Sequence, residues 1–150
     1  MVALDIVEGR ARELVHHHLG ADWRFGFDRA KQRAGACHYA TRTITLSKHL
    51  ALRQPLADVE QTVLHEIAHA LAGHAAGHGP QWRAAARRIG YRGGRTHQGP
   101  VAAELAPWVG LCPAGHAVYR FRTPDARRPV LRTLPPRVRP RLSDPLVAAQ

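Results

Sequence analysis

Apolar residues near the start of the chain recur at steps of three and four positions, which is the period of an amphipathic helix. The pattern runs from Asp5 to Leu19 and stops at Gly20, a residue suited to a helix C-cap. It predicts a helix that packs on the core. The run His16–His18 lies on this helix, and because consecutive helical side chains point about 100° apart, these imidazoles cannot converge on one metal ion.

Over residues 23–46 the pattern changes from the helical period to alternation. Aromatic residues alternate with other types around Phe25, and residues 41–46 are rich in β-branched side chains. These features predict two or three short strands that form a small antiparallel sheet. We expect Ser47 to end the last strand and residues 50–52 to form a turn.

Helical spacing returns at Asp58, which we predict to be the N-cap, and continues to Gly73. This segment is the strongest helix pattern in the chain. A glycine-rich hinge between Gly73 and Gly79 leads to Pro80, a residue suited to a first helical turn. A second, shorter helix is therefore expected, and it ends at Gly90.

After this helix the chain becomes rich in glycine and proline, and arginines and prolines dominate from Ala117 onward. Prolines in this stretch, Pro135, Pro136 and Pro140, exclude regular helix, so we expect a loop-like tail. The predicted organisation is an α+β core over residues 1–96 followed by an Arg- and Pro-rich tail over residues 97–150.

Composition limits the class of protein. The 150 residues fit one domain with an appendage, and a hydrophobic content of 45% excludes wholesale disorder of the core. No apolar run is long enough to cross a bilayer, and Met1 is followed by acidic residues and not by a basic region and an apolar stretch, so we expect no secretory signal. Cys37 and Cys112 allow at most one disulfide. The expected location is cytoplasmic, with no membrane partner.

The segment His65-Glu66-Ile67-Ala68-His69 has the pattern H-E-x-x-H on the strongest predicted helix. A spacing of four residues brings the two imidazoles to one face, one turn apart, where both can bind a single Zn²⁺. Glu66 lies beside the first ligand and can act as a general base without occupying the metal. Because the helix is otherwise apolar, burying these polar groups would be costly unless they were paired or bound to metal.

A catalytic zinc usually takes three protein ligands, so a third is required. The metzincin extension is excluded, because alanines stand at positions 72 and 75, where that motif has glycine and histidine. His74 would face away from the metal if the helix continued. His78 lies at the flexible entry to the next helix and can fold back, so it is favoured over His74, with His97 a remote third.

These motifs resemble those of a known family. His65-Glu-Ile-Ala-His-Ala-Leu71 followed by Gly77-His-Gly-Pro-Gln-Trp82 is similar to the SprT-like zinc metallopeptidases, which include the Spartan-type proteases of DNA–protein crosslinks. The strand segments Trp23-Arg-Phe-Gly-Phe-Asp28 and Ile44-Thr-Leu-Ser47 also resemble the family, so the likeness covers roughly residues 5–95. The resemblance implies a zincin-like fold and one catalytic Zn²⁺. By the resemblance, the ligands are His65, His69 and His78, Glu66 is catalytic, and Trp82 packs under the site.

Many family members carry a C-terminal zinc ribbon, and Cys112-Pro-Ala-Gly-His116 resembles its first knuckle. Neither cysteine nor histidine follows His116, so this tail cannot supply a complete tetrahedral site. We interpret the segment as a degenerate ribbon. Cys37 is expected to be a buried strand residue and not a distant ligand.

A formal net charge of +11 favours a polyanionic partner. Eight arginines stand against one acid, Asp125, between Ala117 and Arg141, and others follow His78. Arginine side chains in such a stretch could contact a phosphate backbone without recognising bases. The candidate nucleic-acid contacts are Arg83, Arg87, Arg88, Arg120, Arg122, Arg127 and Arg128.

These observations lead to alternative functional hypotheses. The first is an active zinc peptidase, with a protein substrate and DNA as the partner that brings substrates to the site. The second is a DNA-associated adaptor whose metal site is structural or silent, although a structural zinc has no need of the adjacent base Glu66. Hydrolysis of a non-peptide substrate at the same site is a third hypothesis, because fold and metal do not fix the substrate.

Overall fold

The protein forms an α+β fold, as the sequence predicts. The computed structural model describes residues 3–94 and the backbone of residues 108–111, 117–120 and 138–140. The chain divides into two compact units, Met1–Val101 and Ala102–Gln150. Four α-helices and a three-stranded sheet make up the described part of the first unit. Among the described residues, no helix is long and apolar enough to span a membrane.

Helix α1 spans Leu4–Leu19 and ends at Gly20, as the apolar period predicts. Its buried residues Val7, Ala11 and Val15 are spaced four apart, so they form one stripe that faces the core. Gly20 has a φ of 79°, and its N–H donates to the carbonyl of His16 at 2.9 Å. The positive φ at this position favours glycine, which explains why the helix ends there.

The sheet is mixed, and the prediction of an antiparallel sheet was wrong for one of its two strand pairs. Its strands are β1 (Arg24–Asp28), β2 (Gly35–His38) and β3 (Thr43–Ser47), in the order β1-β3-β2. Strand β3 pairs antiparallel with β2 and parallel with β1. Alternation of side chains is the same for both orientations, so the sequence pattern cannot distinguish them.

The order of the strands explains the parallel pair. A short connection, residues 39–42, joins β2 to β3, so these two strands form a hairpin. The chain goes from β1 to the far edge of the sheet before it returns through β3, which places β3 in the centre. The central strand carries Ile44 and Leu46, both at most 1% exposed. The central position of β3 between its two neighbours agrees with this burial.

A short helix α2, Lys48–Ala51, replaces part of the turn predicted for residues 50–52. The Ser47 side chain caps this helix by accepting a hydrogen bond from the N–H of Leu50 at 3.2 Å. Leu50 is only 1% exposed, so burial of its side chain holds the turn in helical form. Ser47 thus both ends β3 and begins α2.

Helix α3 spans Leu56–Ala72 and begins earlier than predicted. Its N-cap is Pro55, and the N–H of Asp58 already donates to the Pro55 carbonyl at 3.0 Å. Asp58 is therefore in the first turn and is not the N-cap. In the first turn its carboxylate interacts favourably with the positive end of the helix dipole. An ion pair of 2.6 Å between Arg10 and Glu60 joins α1 to α3.

The chain after α3 follows the predicted order of hinge and helix. A 3₁₀ turn, His74–Ala76, comes first, and helix α4 then spans Pro80–Arg88 with Pro80 in its first turn. The apolar side of α4 is buried through Trp82, Ala85 and Ala86. Helix α4 packs on α3, so the segment between them must reverse direction close to the end of α3.

The second unit contains strands where a loop-like tail was predicted. Strands β4 (Trp108–Leu111), β5 (Ala117–Arg120) and β6 (Val138–Pro140) form a three-stranded sheet in the order β5-β4-β6. Both pairs are antiparallel. Pro140 lies on an edge strand, where a missing N–H is tolerated. Of the three prolines from which a loop was predicted, only Pro140 lies within the described residues, and there the chain forms an edge strand. Local composition does not specify pairing between distant segments.

Candidate metal centre

Three histidine side chains meet at the surface of α3. His65 and His69 are one helical turn apart, and their ring centroids are separated by 5.0 Å. His78 arrives from the segment before α4, and its Nε2 lies 3.0 Å from the Nε2 of His65 and 3.0 Å from that of His69. All three side chains are half-buried. The structure therefore brings together the three histidines that the sequence proposes as ligands.

Glycines allow His78 to reach the other two histidines. Gly73 ends α3 with a φ of 85°, and Gly77 has a φ of 49°. Residues other than glycine rarely adopt positive φ angles of this kind. A Cβ atom at Gly79 would lie 2.9 Å from the carbonyl oxygen of Ala76. These backbone conformations turn the chain back over α3 within a few residues. The glycine-rich hinge thus directs the His78 side chain toward His65 and His69.

The three Nε2 atoms fit a metal ion better than they fit a hydrogen-bonded cluster. Each imidazole nitrogen has either one proton or one lone pair, so the Nε2 of His78 cannot form good hydrogen bonds to both neighbours at once. A tetrahedral zinc holds nitrogens at about 2.0 to 2.1 Å, which separates any two of them by about 3.3 Å. The observed 3.0 Å is close to that spacing. A set of three neutral imidazoles suits zinc.

The pKa of His69 favours its neutral form, which is the form of an imidazole that can bind a metal ion. Burial lowers the pKa of His69 to about 4, and the neighbouring His78 acts in the same direction. His69 is therefore uncharged at neutral pH and presents a lone pair. Since a protonated imidazole cannot bind a metal ion, the low pKa removes the competition between protons and metal at this position.

Trp82 packs against all three histidines of the cluster. It is 2% exposed, and its ring centroid lies 4.8 Å from that of His65 and 4.6 Å from that of His78. Its indole N–H donates to the backbone carbonyl of His65 at 3.4 Å. The indole therefore restricts the movement of two imidazoles and fixes α4 against α3.

Glu66 is the one buried ionisable side chain among residues 3–94, with 9% of it exposed. Burial raises its pKa to about 7, while Arg33 and a hydrogen bond from the Cys37 N–H act in the opposite direction. Strand β2 approaches Glu66 closely, because a Cβ atom at Gly35 would lie 2.9 Å from the Glu66 Cγ. The carboxyl group is thus held between α3 and β2, next to the first histidine of the cluster.

The match to known proteins covers most of the first unit. The model of the SprT-like family matches residues 6–101. This chain belongs to the SprT-like family. No curated protein matches the sequence. Among solved structures, the chain is similar to the metallopeptidase zymogen abylysin of Pyrococcus abyssi. The identity is 16% and the TM-score 0.46, over 62% of this chain and 84% of that one.

Two further side chains considered from the sequence, His74 and Cys37, are not part of the three-histidine cluster of this SprT-like chain. His74 is exposed, and its ring packs on Tyr39 with centroids 5.2 Å apart. Cys37 lies on β2 and is half-buried, and burial raises the pKa of its thiol to about 12, so it is a poor metal ligand. Within the described ranges, His65, His69 and His78 are the one group that could hold a metal.

The predicted nucleic-acid contacts are only partly described by the structure. Arg83, Arg87 and Arg88 lie on α4 and are exposed. Arg120 lies on β5. Several predictions concern residues outside the described ranges, and these are His97, Cys112, His116, Arg122, Arg127 and Arg128.

Two residues near the cluster were not predicted to act there. The hydroxyl of Tyr91 lies 3.3 Å from the Nδ1 of His65, and the hydroxyl of Tyr39 donates to the His69 carbonyl at 3.2 Å. Tyr39 follows β2 and Tyr91 follows α4, so both are distant from the motif in sequence. The only local signal is Gly90, which marks the helix end that precedes Tyr91.

Proposed function

We propose that this chain is a zinc-dependent peptidase in which His65, His69 and His78 hold one Zn²⁺ and Glu66 transfers protons. The observation that carries the proposal is the convergence of three imidazole Nε2 atoms at helix α3, which also carries the buried carboxyl group of Glu66. Membership of the SprT-like family is consistent with a metalloprotease. A zinc ion at this position supplies a Lewis acid that polarises a peptide carbonyl and increases the acidity of water.

Glu66 has the properties required of the proton carrier. With a pKa of about 7, raised by burial, its carboxylate can accept a proton from water near neutral pH. The resulting carboxylic acid can then donate that proton to the amine of the leaving peptide. The hydrogen bond from the Cys37 N–H and the contact with Gly35 restrict the carboxyl group to one position during both transfers.

Removal of the metal tests this proposal directly. Dialysis against a chelator should abolish digestion of an unfolded protein such as casein, and about one equivalent of Zn²⁺ should restore it, because a catalytic zinc site holds one ion. Digestion is measured by gel electrophoresis, and bound metal by elemental mass spectrometry. Full digestion by a protein with no bound metal would overturn the proposed function.

We further propose that the substrates are proteins bound to DNA. A formal charge of +11 attracts polyanions, and the exposed side chains of Arg83 and Arg87 are spaced four residues apart on one face of α4. This face is on the helix that also carries Trp82, so DNA bound here would be close to the metal centre. Such binding would bring proteins on the DNA to the site without base recognition.

The double variant Arg83→Gln, Arg87→Gln should weaken binding to a short labelled duplex. Each lost phosphate contact should reduce the slope of log affinity against log salt by about 0.9, so the two changes together should reduce it by about 2. Fluorescence anisotropy across a salt series measures both quantities. The matched control is Arg12→Gln, Arg42→Gln, which removes the same charge.

In this control, the two exposed arginines already have acidic partners, Glu8 and Asp22. Their removal should therefore change DNA affinity less than removal of the α4 arginines. Equal losses in the two double variants would mean that net charge, and not the α4 face, determines binding.

A further inference from the structure

Tyr91 is placed next to the metal centre by the way in which α4 ends. Gly90 has a φ of 90°, its N–H donates to the Arg87 carbonyl at 3.1 Å, and the N–H of Tyr91 donates to the Ala86 carbonyl at 2.9 Å. This pair of bonds is a Schellman motif, which fixes the direction of the chain after a helix. It turns the Tyr91 side chain back over α3, where its ring centroid lies 5.3 Å from that of His65.

The hydrogen bonds of the Tyr91 hydroxyl have a defined direction. Its O–H donates to the carbonyl of Gly94 at 2.8 Å, because a carbonyl can only accept. The hydroxyl has no second proton, so toward the Nδ1 of His65, at 3.3 Å, it presents a lone pair. The Nδ1 atom must therefore carry the proton in this contact.

This direction determines the tautomer of His65. A neutral imidazole has one ring proton, so a proton on Nδ1 leaves a lone pair on Nε2. The Nε2 of His65 is the atom that faces the Nε2 of His78 at 3.0 Å. The chain of bonds from Gly94 through Tyr91 to His65 thus directs a lone pair into the cluster of three histidines.

The loop after Tyr91 is shaped to hold the phenol. A Cβ atom at Gly93 would overlap the Tyr91 hydroxyl oxygen and would lie 2.6 Å from its Cζ, so glycine at this position leaves room for the ring where it now lies. The N–H of Arg92 donates to the side chain of Gln61 at 2.8 Å, which attaches the loop to α3. The hydroxyl is therefore fixed relative to the helix that carries His65.

We propose that Tyr91 is a positioning residue of the metal centre, which holds His65 in the tautomer and orientation that bind the metal through Nε2. This inference rests on the proposed function, since it concerns how the same three histidines hold zinc. Hydrogen-bond partners of metal-bound histidines typically contribute about 10- to 100-fold to metal affinity. Tyr91 touches no reacting atom in this role; it acts through His65.

The test is the zinc affinity of the full chain, measured by competition with a chromogenic chelator, for wild type and Tyr91→Phe. Loss of the hydroxyl should weaken zinc binding by about 10-fold or more. Tyr39→Phe is the matched control, because it removes a hydroxyl that bonds to the backbone carbonyl of His69 and not to an imidazole. It should change zinc affinity by less than about 3-fold, well below the effect of losing a hydrogen bond to a metal-bound imidazole.

Melting temperatures of the metal-free proteins separate positioning from folding. If Tyr91→Phe has the melting temperature of wild type without metal but binds zinc more weakly, the inference is supported. Equal zinc affinity in wild type and Tyr91→Phe overturns it. Equal losses in Tyr91→Phe and Tyr39→Phe also overturn it. A wild-type chain that binds no zinc would instead refute the proposed function itself.

A second variant disturbs the contact between the Tyr91 hydroxyl and His65 without removing the phenol. Gly93→Ala places a methyl group where the Tyr91 hydroxyl lies, so the hydroxyl must move away from its present position. Zinc affinity should fall in Gly93→Ala as well, although less than in Tyr91→Phe if the loop adjusts. Gly9→Ala is its control, because Gly9 lies on α1, outside this chain of hydrogen bonds, and a Cβ atom there meets no atom within 4 Å. Unchanged zinc affinity in Gly93→Ala would contradict the inference even if Tyr91→Phe failed to fold.

Discussion

Replacing Glu66 with glutamine should reduce peptide hydrolysis by about 10³-fold or more while the protein still binds about one zinc per chain, as expected for loss of a general base beside an intact metal site. The amide has the size of the carboxyl group and can still accept the hydrogen bond from the Cys37 N–H, but it cannot take a proton from water. Digestion of casein measures the activity, and elemental mass spectrometry measures the zinc.

The same substitution should leave the protein at least as stable as wild type. Burial disfavours the charged carboxylate, as the raised pKa of about 7 indicates, and a neutral amide avoids that cost. Glu60→Gln is the matched control, because Glu60 lies on the same helix but pairs with Arg10. It should retain full hydrolysis. Unchanged digestion by Glu66→Gln would show that another group is the base, and the proposed mechanism would then be wrong.

Substitution of His78 with alanine should lower the zinc content from about one per chain to near none after dialysis, because two imidazoles alone make a weak site. Hydrolysis should fall to background for the same reason. Zinc should also raise the melting temperature of wild type and not that of the variant, since a ligand stabilises only the state that binds it.

His74→Ala is the control for this experiment, because His74 was the other nearby candidate for the third ligand. Its ring is exposed and packs on Tyr39, and its nitrogens are not among those that converge in the cluster. We expect His74→Ala to keep both zinc and activity. If His74→Ala lost zinc and His78→Ala kept it, the assignment of the third ligand would be reversed. If neither variant nor wild type bound zinc, a DNA-associated adaptor would become the better description of this chain.

Much of the site could be predicted from the sequence because its parts are local. The spacing of His65 and His69 determines that both face the same side of any helix they form. The glycines that precede Pro80 mark a flexible hinge, and a hinge there favours His78 over His74 as the third ligand. The SprT-like family, which the resemblance suggested from these motifs, is confirmed by the family match over residues 6–101.

Other features depend on contacts between distant segments, and these were missed or wrong. The parallel pairing of β1 with β3 has no local signature, because alternation is the same in both orientations. The sheet in the second unit was not expected, since composition favoured a loop. The N-cap of α3 was placed too late because Asp58 is a good cap in isolation, whereas Pro55 begins the helix.

The sequence by itself determined which groups are available for the proposed chemistry: two imidazoles and a carboxyl group on one helix, a third imidazole beyond a glycine hinge, and a strongly basic composition. Only the tertiary structure decided how those groups are buried and hydrogen-bonded. The approach of Gly35 to Glu66 and the contact of Tyr91 with His65 join residues about 30 positions apart, which no periodicity can specify. Burial and hydrogen-bond direction arise from packing, and packing is fixed only when distant segments meet.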